Sequence, residues 1–292
     1  MKAIVFNLGI TIEDIVERPI LNDHLQVVPI KALITGLENS IYAGLLWVRP
    51  ETILGSIGLV RVTATGVDVE SQLEGKTGIV LPYSKKYGGI GTEIDGILAE
   101  KSVIPQDVFV TISSDHYDDR FLLYPFVSIG LQLRKMLRGS NTLIIGDGLT
   151  GLISAKMLVG YANKVGMLRD EFTYKIRIYG VEEVKEINSS WDSIFITTMR
   201  SWARVLVSSL SQQNITVILP RFMNSWPVVL PNNNVKFVEP AKLNGVFEYI
   251  EDEVSDKFFK EIVGFSDDLF SSIPSSKPGI VVDVTKSLFH KV

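Results

Sequence analysis

The stretch TLIIGDGLTGLISAKML, residues 142–158, joins an apolar run, a glycine-rich turn and a helical pattern. Leu143 to Ile145 carry no polar side chain, and glycines follow at positions 146, 148 and 151. A strand that passes through G-x-G-x-x-G directly into a helix is typical of a dinucleotide-binding turn. A turn whose glycines are only structural is the alternative, but the strand before it and the helix after it favour binding.

Each glycine of this turn has its own predicted role. Gly146 permits the tight turn, Gly148 lets a pyrophosphate approach the backbone, and Gly151 lets the helix pack closely on the strand. The backbone amides of Leu149 and Thr150 would then point at the phosphates from the positive end of the helix dipole.

A ribose-binding carboxylate is expected at the carboxyl end of the next strand, about 20 residues after the turn. Asp170 and Glu171 satisfy this count, but they precede the predicted strand YKIRIYG at 174–180 and would lie at its wrong end. Glu182 follows that strand. A carboxylate there accepts hydrogen bonds from ribose hydroxyls and repels a 2′-phosphate, which favours NAD over NADP. The alternative is that Glu182 is only a solvated residue that opens a turn.

The pattern of the chain changes near Tyr124, which indicates two domains. Before it, short β segments are separated by Gly and Pro and predict a compact, barrel-like β domain. These segments are KAIVFNLG (2–9), LQVVPIKALITG (25–36), GLVRVTATG (58–66), GKTGIVLP (75–82), GILAEKSVIP (96–105) and DVFVTIS (107–113).

From Tyr124 onward, strands alternate with helices, which predicts βαβ units and a mostly parallel sheet. The predicted helices are LLYPFVSIGLQLRKMLRG (122–139), LTGLISAKMLVGYANKVG (149–166) and MRSWARVLVSSLSQQ (199–213). The predicted strands are NTLII (141–145), YKIRIYG (174–180), WDSIFITT (191–198), ITVILP (215–220) and NVKFVEP (234–240). A late strand in PGIVVDV (278–284) fits the sheet of either domain.

The composition is that of an ordinary globular protein: 292 residues, 46% hydrophobic, 21% charged, with a formal net charge of −4. The basic residues are scattered, which argues against a nucleic-acid groove. No run approaches the roughly 18 uncharged apolar residues of a membrane span. Asn7, Glu13 and Asp14 interrupt any signal-peptide core, so the expected location is cytoplasmic.

The chain contains no cysteine and only three histidines, His24, His116 and His290. Disulfides and thiolate metal sites are therefore excluded for this sequence. The histidine spacings fit no helical or hairpin pair of metal ligands, so we expect no metal site.

The order of these parts resembles the medium-chain dehydrogenase/reductase superfamily, which includes alcohol and glucose dehydrogenases. The segments that carry the resemblance are 53–82, 91–113, 144–158 and 176–183. The resemblance implies an α/β fold with an N-terminal GroES-like β-barrel domain at 1–123 and a Rossmann doubly wound parallel sheet at 124–277. Residues 278–292 would return to the first domain.

The sequence departs from the family's zinc site. Zinc-dependent members carry a cysteine in a Gly-Ile-Cys-Gly-Thr-Asp-like turn and a histidine-glutamate pair in a Gly-His-Glu turn. The matching positions here hold Thr35, Ser56 and Ile57. Neutral hydroxyls are poor zinc ligands and an alkyl group is none. The four-cysteine lobe for a structural zinc is absent too, so the resemblance is to a zinc-less member.

Hydride transfer without zinc still needs a group that polarises a carbonyl or delivers a proton. Candidates from the segments that hold ligands in relatives are Thr35, Ser56, Tyr42 and Glu38. Thr35 and Ser56 could instead only satisfy backbone groups, and Tyr42 could be an aromatic wall.

Two functions stay open. The leading one is a zinc-independent NAD-linked oxidoreductase acting on a small carbonyl, alcohol or quinone in the interdomain cleft. The other is a catalytically degenerate relative that serves as a nucleotide-binding or assembly subunit. A cleft filled by Trp202, Trp226 or neighbouring bulky side chains would favour the second.

A homodimer is expected through the last strand of the Rossmann sheet, NNNVKFVEP (232–240), followed by KLNGVFEY. Two-fold pairing would cover an open row of backbone donors and acceptors. Pro240 would end the paired segment. The alternative is a monomer whose edge is blunted by Lys236 and Glu239.

Overall fold

The computed structural model describes residues 1–112, 117–169, 174, 176–187, 190–210, 215–223 and 234–289. The chain divides into two compact units. Unit 1 comprises Met1–Tyr124 and Val263–Val292, and unit 2 comprises Pro125–Ile262. The return to the first unit therefore begins at Val263, ahead of the expected position 278. The reason is that residues 263–266 form a strand that pairs with residues 279–282 of unit 1.

The N-terminal part of unit 1 is mostly short strands, as the glycine and proline punctuation predicts. Its elements are β1 (Lys2–Phe6), β2 (Ile10–Asp14), β3 (His24–Ile34), α1 (Gly36–Tyr42), β4 (Thr52–Ile53), β5 (Gly58–Thr65), β6 (Thr77–Val80), β7 (Tyr83–Ser84), β8 (Gly88–Gly89), β9 (Ser102–Pro105) and β10 (Phe109–Thr111).

Unit 2 contains the alternating strands and helices. Its elements are α2 (Tyr124–Met136), β11 (Asn141–Ile145), α3 (Leu149–Leu158), β12 (Lys164–Leu168), β13 (Glu182–Val184), β14 (Ser193–Ile196), α4 (Ser201–Ser208), β15 (Thr216–Pro220), β16 (Asn234–Val238), α5 (Val246–Glu253) and α6 (Asp256–Ile262). The chain ends, within the described part, with β17 (Val263–Ser266), β18 (Gly279–Asp283) and α7 (Val284–Phe289).

The main sheet of unit 1 is built around the long strand β3. Its order is β10-β6-β5-β3-β18-β17, with β9 also paired to β3, while β2-β1-β4 form a separate sheet. β3 pairs antiparallel with both β5 and β18. The register of β3 with β5 shifts between Gln26 and Val27 and again between Pro29 and Lys31, next to a proline that has no amide to give the ladder. Strand β18 thus joins the C-terminal segment to unit 1.

The sheet of unit 2 is parallel, with the order β13-β12-β11-β14-β15-β16. This corresponds to the doubly wound order 3-2-1-4-5-6, in which ligands bind beyond the carboxyl ends of the strands. Leu143 and Ile145 of β11 pack with Ala203 and Val207 of α4 in one apolar cluster. The intervening Ile144 is also buried, so β11 is covered on both faces.

Two predicted elements of unit 2 are wrong. The helix expected at 149–166 ends at Leu158, and Gly160, with a φ of 83°, follows in the left-handed region that favours glycine. Residues 164–168 are instead the buried strand β12. The strand expected at 174–180 is not formed: residues 176–180 have no strand structure. The first strand after the glycine turn is therefore β12, which lies earlier in the chain than the predicted strand.

Among the described residues, no helix is both long and apolar enough to cross a membrane.

Candidate functional site

The glycine turn lies at the carboxyl end of β11, at the centre of the sheet. Gly146 has a φ of 106°, and a Cβ on it would lie 2.8 Å from Thr197 Oγ1. A Cβ on Gly151 would overlap the carbonyl oxygen of Gly146. Neither position therefore has room for a side chain, as the packing roles predicted for Gly146 and Gly151 require.

Gly148 differs from the other two glycines. It is the N-cap of α3 with a φ of −69°, and a Cβ on it would have no heavy atom of the described residues within 4 Å. The open space lies where the sequence places a pyrophosphate. The amides of Leu149 and Thr150 lie in the first turn of α3, at the positive end of the helix dipole. Such amides attract anions.

Thr197, directly after the neighbouring strand β14, fixes the turn. Its hydroxyl lies 3.0 Å from the Ile145 carbonyl oxygen and 3.1 Å from that of Gly146, so its single proton is shared between these two acceptors. The side chain is buried. Sequence reasoning missed this residue, because its position 51 residues after Gly146 carries no local pattern.

The residue at the carboxyl end of the second strand is Arg169, directly after β12. Glu182 instead begins the edge strand β13, and its carboxylate lies 2.7 Å from Lys164 Nζ. Lys164 is the first residue of β12, so both side chains are at the amino ends of parallel strands, away from the glycine turn. The placement predicted for Glu182 is wrong. Asp170 and Glu171 lie outside the described residues.

Arg169 is held by groups from three segments. Its Nη1 lies 3.3 Å from Asp147 Oδ2 inside the glycine turn, and its Nη2 lies 3.5 Å from Glu183 Oε1. Nη2 also donates to the carbonyl of Ile176. The Nε of Arg169 is buried and has no hydrogen-bond partner within the described residues. The guanidinium therefore keeps one donor that no described residue uses.

A pocket of about 310 Å³ opens beside this guanidinium. Its volume lies at the lower end of the range for small-molecule sites. Two cationic side chains and one carboxylate line it together with apolar groups. The lining residues are Met167, Arg169, Arg177, Ile178, Val181 and Glu183.

In unit 1, Glu38 brings together Thr35 and Ser56, two of the three positions where the resemblance places zinc ligands. Its Oε2 accepts hydrogen bonds from the amide of Thr35 at 2.8 Å and the hydroxyl of Thr35 at 3.0 Å. Its Oε1 accepts from the hydroxyl of Ser56 at 3.0 Å and the amide of Ser56 at 3.3 Å. All four acceptor positions of the carboxylate are thus used.

The sequence determines part of this cluster locally. Thr35 is the N-cap of α1 and Glu38 is its third residue, which together form a capping box. A cap of this kind stabilises a helix by about 1 kcal/mol. The second half of the cluster comes from the turn between β4 and β5, which carries Ser56.

Burial raises the pKa of the Glu38 carboxyl, while the hydrogen bonds from Thr35 and Ser56 act in the opposite direction. Thr35, Glu38 and Ser56 are all buried. In the ionised state of Glu38 both hydroxyls donate to it. When Glu38 takes up a proton, its O–H donates to one of them, and that hydroxyl can then donate elsewhere.

Tyr42 lies apart from this cluster. It is the last residue of α1, about 10 Å from Thr35 at 1.5 Å rise per residue, and it is 58% exposed. It lines a surface pocket of about 610 Å³ in unit 1 together with residues of the β1–β2 hairpin, including Phe6 and Leu8. The structure therefore brings Thr35 and Ser56 together but not Tyr42.

The described residues contain no group of three or more His, Asp or Glu side chains arranged to hold a metal ion. His24 is buried, and its Nδ1 lies 2.9 Å from Asp23 Oδ1. His116 and His290 lie outside the described residues, as does Trp226. Trp202 packs against the apolar cluster between α4 and the sheet of unit 2.

Comparison with known proteins gives structural matches only. No family model matches the sequence, and no curated protein matches it. Galactitol-1-phosphate dehydrogenase from Escherichia coli aligns with a TM-score of 0.70 at 14% identity, over 97% of this chain and 100% of that chain. Glucose dehydrogenase from Haloferax mediterranei, in complex with NADP, Zn and gluconolactone, gives 0.68 at 14% identity over 100% of both chains.

A third match is acetophenone reductase from Geotrichum candidum in complex with NAD. Its TM-score is 0.68 at 14% identity, over 97% of this chain and 96% of that chain. The chain thus has the α/β fold of the medium-chain dehydrogenases, with a GroES-like domain and a Rossmann domain. The resemblance is confirmed at the level of the fold.

Proposed function

We propose that the chain is an oxidoreductase of the medium-chain dehydrogenase/reductase type that binds a nicotinamide dinucleotide. The observation that carries the proposal is the open position at Gly148, between two glycines that close packing requires, at the N-terminus of α3. The solved structures with this fold include complexes with NADP and with NAD.

The residues present fit such a cofactor. Gly148 and the first-turn amides of Leu149 and Thr150 would hold the pyrophosphate. Arg169 replaces Glu182 as the residue at the ribose position, and an arginine there accommodates a 2′-phosphate. We therefore propose NADP in place of the expected NAD, with Arg177 as a second cation at the pocket.

We propose that the reaction does not use catalytic zinc. Thr35, Ser56 and Ile57 offer two neutral hydroxyls and an alkyl group where relatives have ligands, and the sequence has no cysteine. Neither a neutral hydroxyl nor an alkyl group binds zinc strongly. The substrate class is a small carbonyl, alcohol or quinone.

A bound nicotinamide cofactor supplies or accepts the electron pair of such a reaction. The chain has to supply the proton for the substrate oxygen. We assign this to the Thr35–Glu38–Ser56 cluster: neutral Glu38 gives its proton to the Ser56 or Thr35 hydroxyl, whose own proton passes to the substrate oxygen. In the oxidative direction the proton returns to Glu38. Tyr42 is left out of this group because it lies at the other end of α1.

One observation favours a second function, that of a catalytically degenerate subunit that only binds nucleotide. Both hydroxyls of the cluster are buried and donate to the carboxylate oxygens of Glu38, whose acceptor positions are all used. If both hydroxyls always donate to Glu38, the cluster only stabilises the fold and transfers no proton.

Two measurements on the purified protein separate these functions. The first is a fluorescence titration with NADPH and NADH, in which NADPH should bind more tightly. The second is the change in NADPH absorbance with a panel of small aldehydes, ketones and quinones. Binding with turnover supports the enzyme, and binding without turnover supports the subunit. No binding of either dinucleotide contradicts both.

We also propose a homodimer through β16. This strand is an edge of the unit 2 sheet, paired on one side with β15. Phe237 on it is partly exposed, and the Arg221 guanidinium lies 4.7 Å from the centre of its ring. Lys236 and Glu239 could blunt this edge in a monomer, although Glu239 is engaged by Arg221 at 3.4 Å.

A further inference from the structure

A buried carboxylate lies inside the glycine turn itself. Asp147 stands between Gly146 and Gly148, and its side chain is 4% exposed. Its position is one residue before the N-cap of α3, where an anionic ligand is expected. A carboxylate at this position opposes anions, since solvent screens a buried charge weakly.

Asp147 also forms an ion pair with Arg169, the cation that would recognise a phosphate. Its Oδ2 lies 3.3 Å from Arg169 Nη1. Glu183 approaches the same guanidinium at 3.5 Å but is 56% exposed, so water and ions screen its charge. Arg177 Nε lies 3.9 Å from Glu183. These two cations and two carboxylates together carry no net charge.

We propose that Asp147 weakens the preference of this chain for NADP, because it holds Arg169 and lowers the affinity of the turn for a 2′-phosphate. The proposal rests on the proposed function. A phosphate that enters the pocket must compete with Asp147 for Nη1 and is repelled by its charge. A ligand with a 2′-hydroxyl meets less of this competition, since it carries no charge at that position.

The test is binding of two small probes by calorimetry, 2′,5′-ADP and 5′-AMP, which differ by the 2′-phosphate. Asp147→Asn keeps the shape and an oxygen acceptor for Arg169 but removes the charge. We expect it to bind 2′,5′-ADP roughly tenfold more tightly than wild type, which corresponds to about 1.4 kcal/mol of binding free energy. Its affinity for 5′-AMP should change by less than about threefold. Glu183→Gln is the matched control and should give a smaller gain.

A further variant tests whether Arg169 carries the effect. In Arg169→Gln, discrimination between the two probes should disappear, and adding Asp147→Asn should restore none of it. Melting curves verify that each variant is folded, and Asp147→Ser takes the place of Asp147→Asn if the latter does not fold.

The outcomes are distinct. An unchanged ratio of the two affinities in folded Asp147→Asn overturns the role of Asp147 but leaves nucleotide binding intact. Binding of neither probe by wild type or variant removes the proposed function and this inference with it. A gain for 2′,5′-ADP that persists without Arg169 also overturns the inference, because the pair would then not be the cause.

Discussion

The carboxylate of Glu38 lies 3.0 Å from the hydroxyl of Ser56, 18 positions further along the chain. This hydrogen bond joins the N-terminus of α1 to the turn before β5. In zinc-dependent relatives, as the resemblance implies, a metal ion would join the same two segments. Here the Glu38 carboxylate joins them by accepting four hydrogen bonds.

Stability should depend on pH through Glu38. Burial raises its pKa above the ordinary value, so the folded state binds the proton more tightly than the unfolded state. The resulting stabilisation is complete below the unfolded pKa and is lost as pH rises through the folded pKa. Urea unfolding across this range should show a declining free energy for wild type.

Glu38→Gln removes this titration. We expect it to be less stable than wild type by about 1 to 3 kcal/mol at acidic pH. The reason is that a carboxamide has one oxygen to accept the hydrogen bonds that the carboxyl accepts with two. The difference should shrink as pH rises. A constant difference over the whole range would contradict the assigned pKa direction.

Ser56→Ala should slow turnover with the best carbonyl substrate by about a hundredfold or more, the usual effect of a proton donor. NADPH affinity should stay unchanged, because Ser56 is not a residue of the glycine turn. Ser56→Thr, which keeps the hydroxyl, should retain most of the activity. Equal activity of Ser56→Ala and wild type would exclude the proposed proton transfer.

The purified protein should contain no stoichiometric zinc, since Thr35, Ser56 and Ile57 are not zinc ligands. Chelators should leave its melting temperature unchanged. Metal analysis that finds one zinc per chain would refute the assignment of these three positions.

Light scattering at micromolar concentration should give the mass of two chains. Phe237→Pro should yield monomers, because proline removes a backbone donor from the edge strand β16. Phe237→Val keeps the amide and should remain dimeric. A wild-type mass near one chain, or a dimeric Phe237→Pro, would rule out this edge as the interface.

The sequence predicts the glycine turn well because all its parts are local. Gly146, Gly148 and Gly151 lie within six residues; strand β11 ends just before Gly146, and Gly151 lies in the first turn of α3. The next strand was missed because Gly166 in its middle resembles a helix end and Lys164 follows a short loop. That single error moved the ribose position from Arg169 to Glu182.

Contacts distant in sequence could not be predicted in the same way. Thr197 reaches Gly146 across 51 positions, and Ser56 reaches Glu38 across 18. Only the capping box between Thr35 and Glu38 has a local spacing, and its pattern predicts a helix start. Asp147 is visible in the sequence, but its partner Arg169 depends on where β12 ends.

The most direct test of dinucleotide binding at this turn is an NADPH fluorescence titration of wild type, Gly148→Val and Gly151→Val. Gly148→Val should fold with a loss of about 1 kcal/mol or less, since its Cβ enters open space, and it should not bind NADPH. Gly151→Val should lose stability as well, because its Cβ overlaps the Gly146 carbonyl. Saturable wild-type binding that Gly148→Val abolishes is the predicted result. Equal NADPH affinity of folded Gly148→Val and wild type, or no binding by wild type, would contradict it.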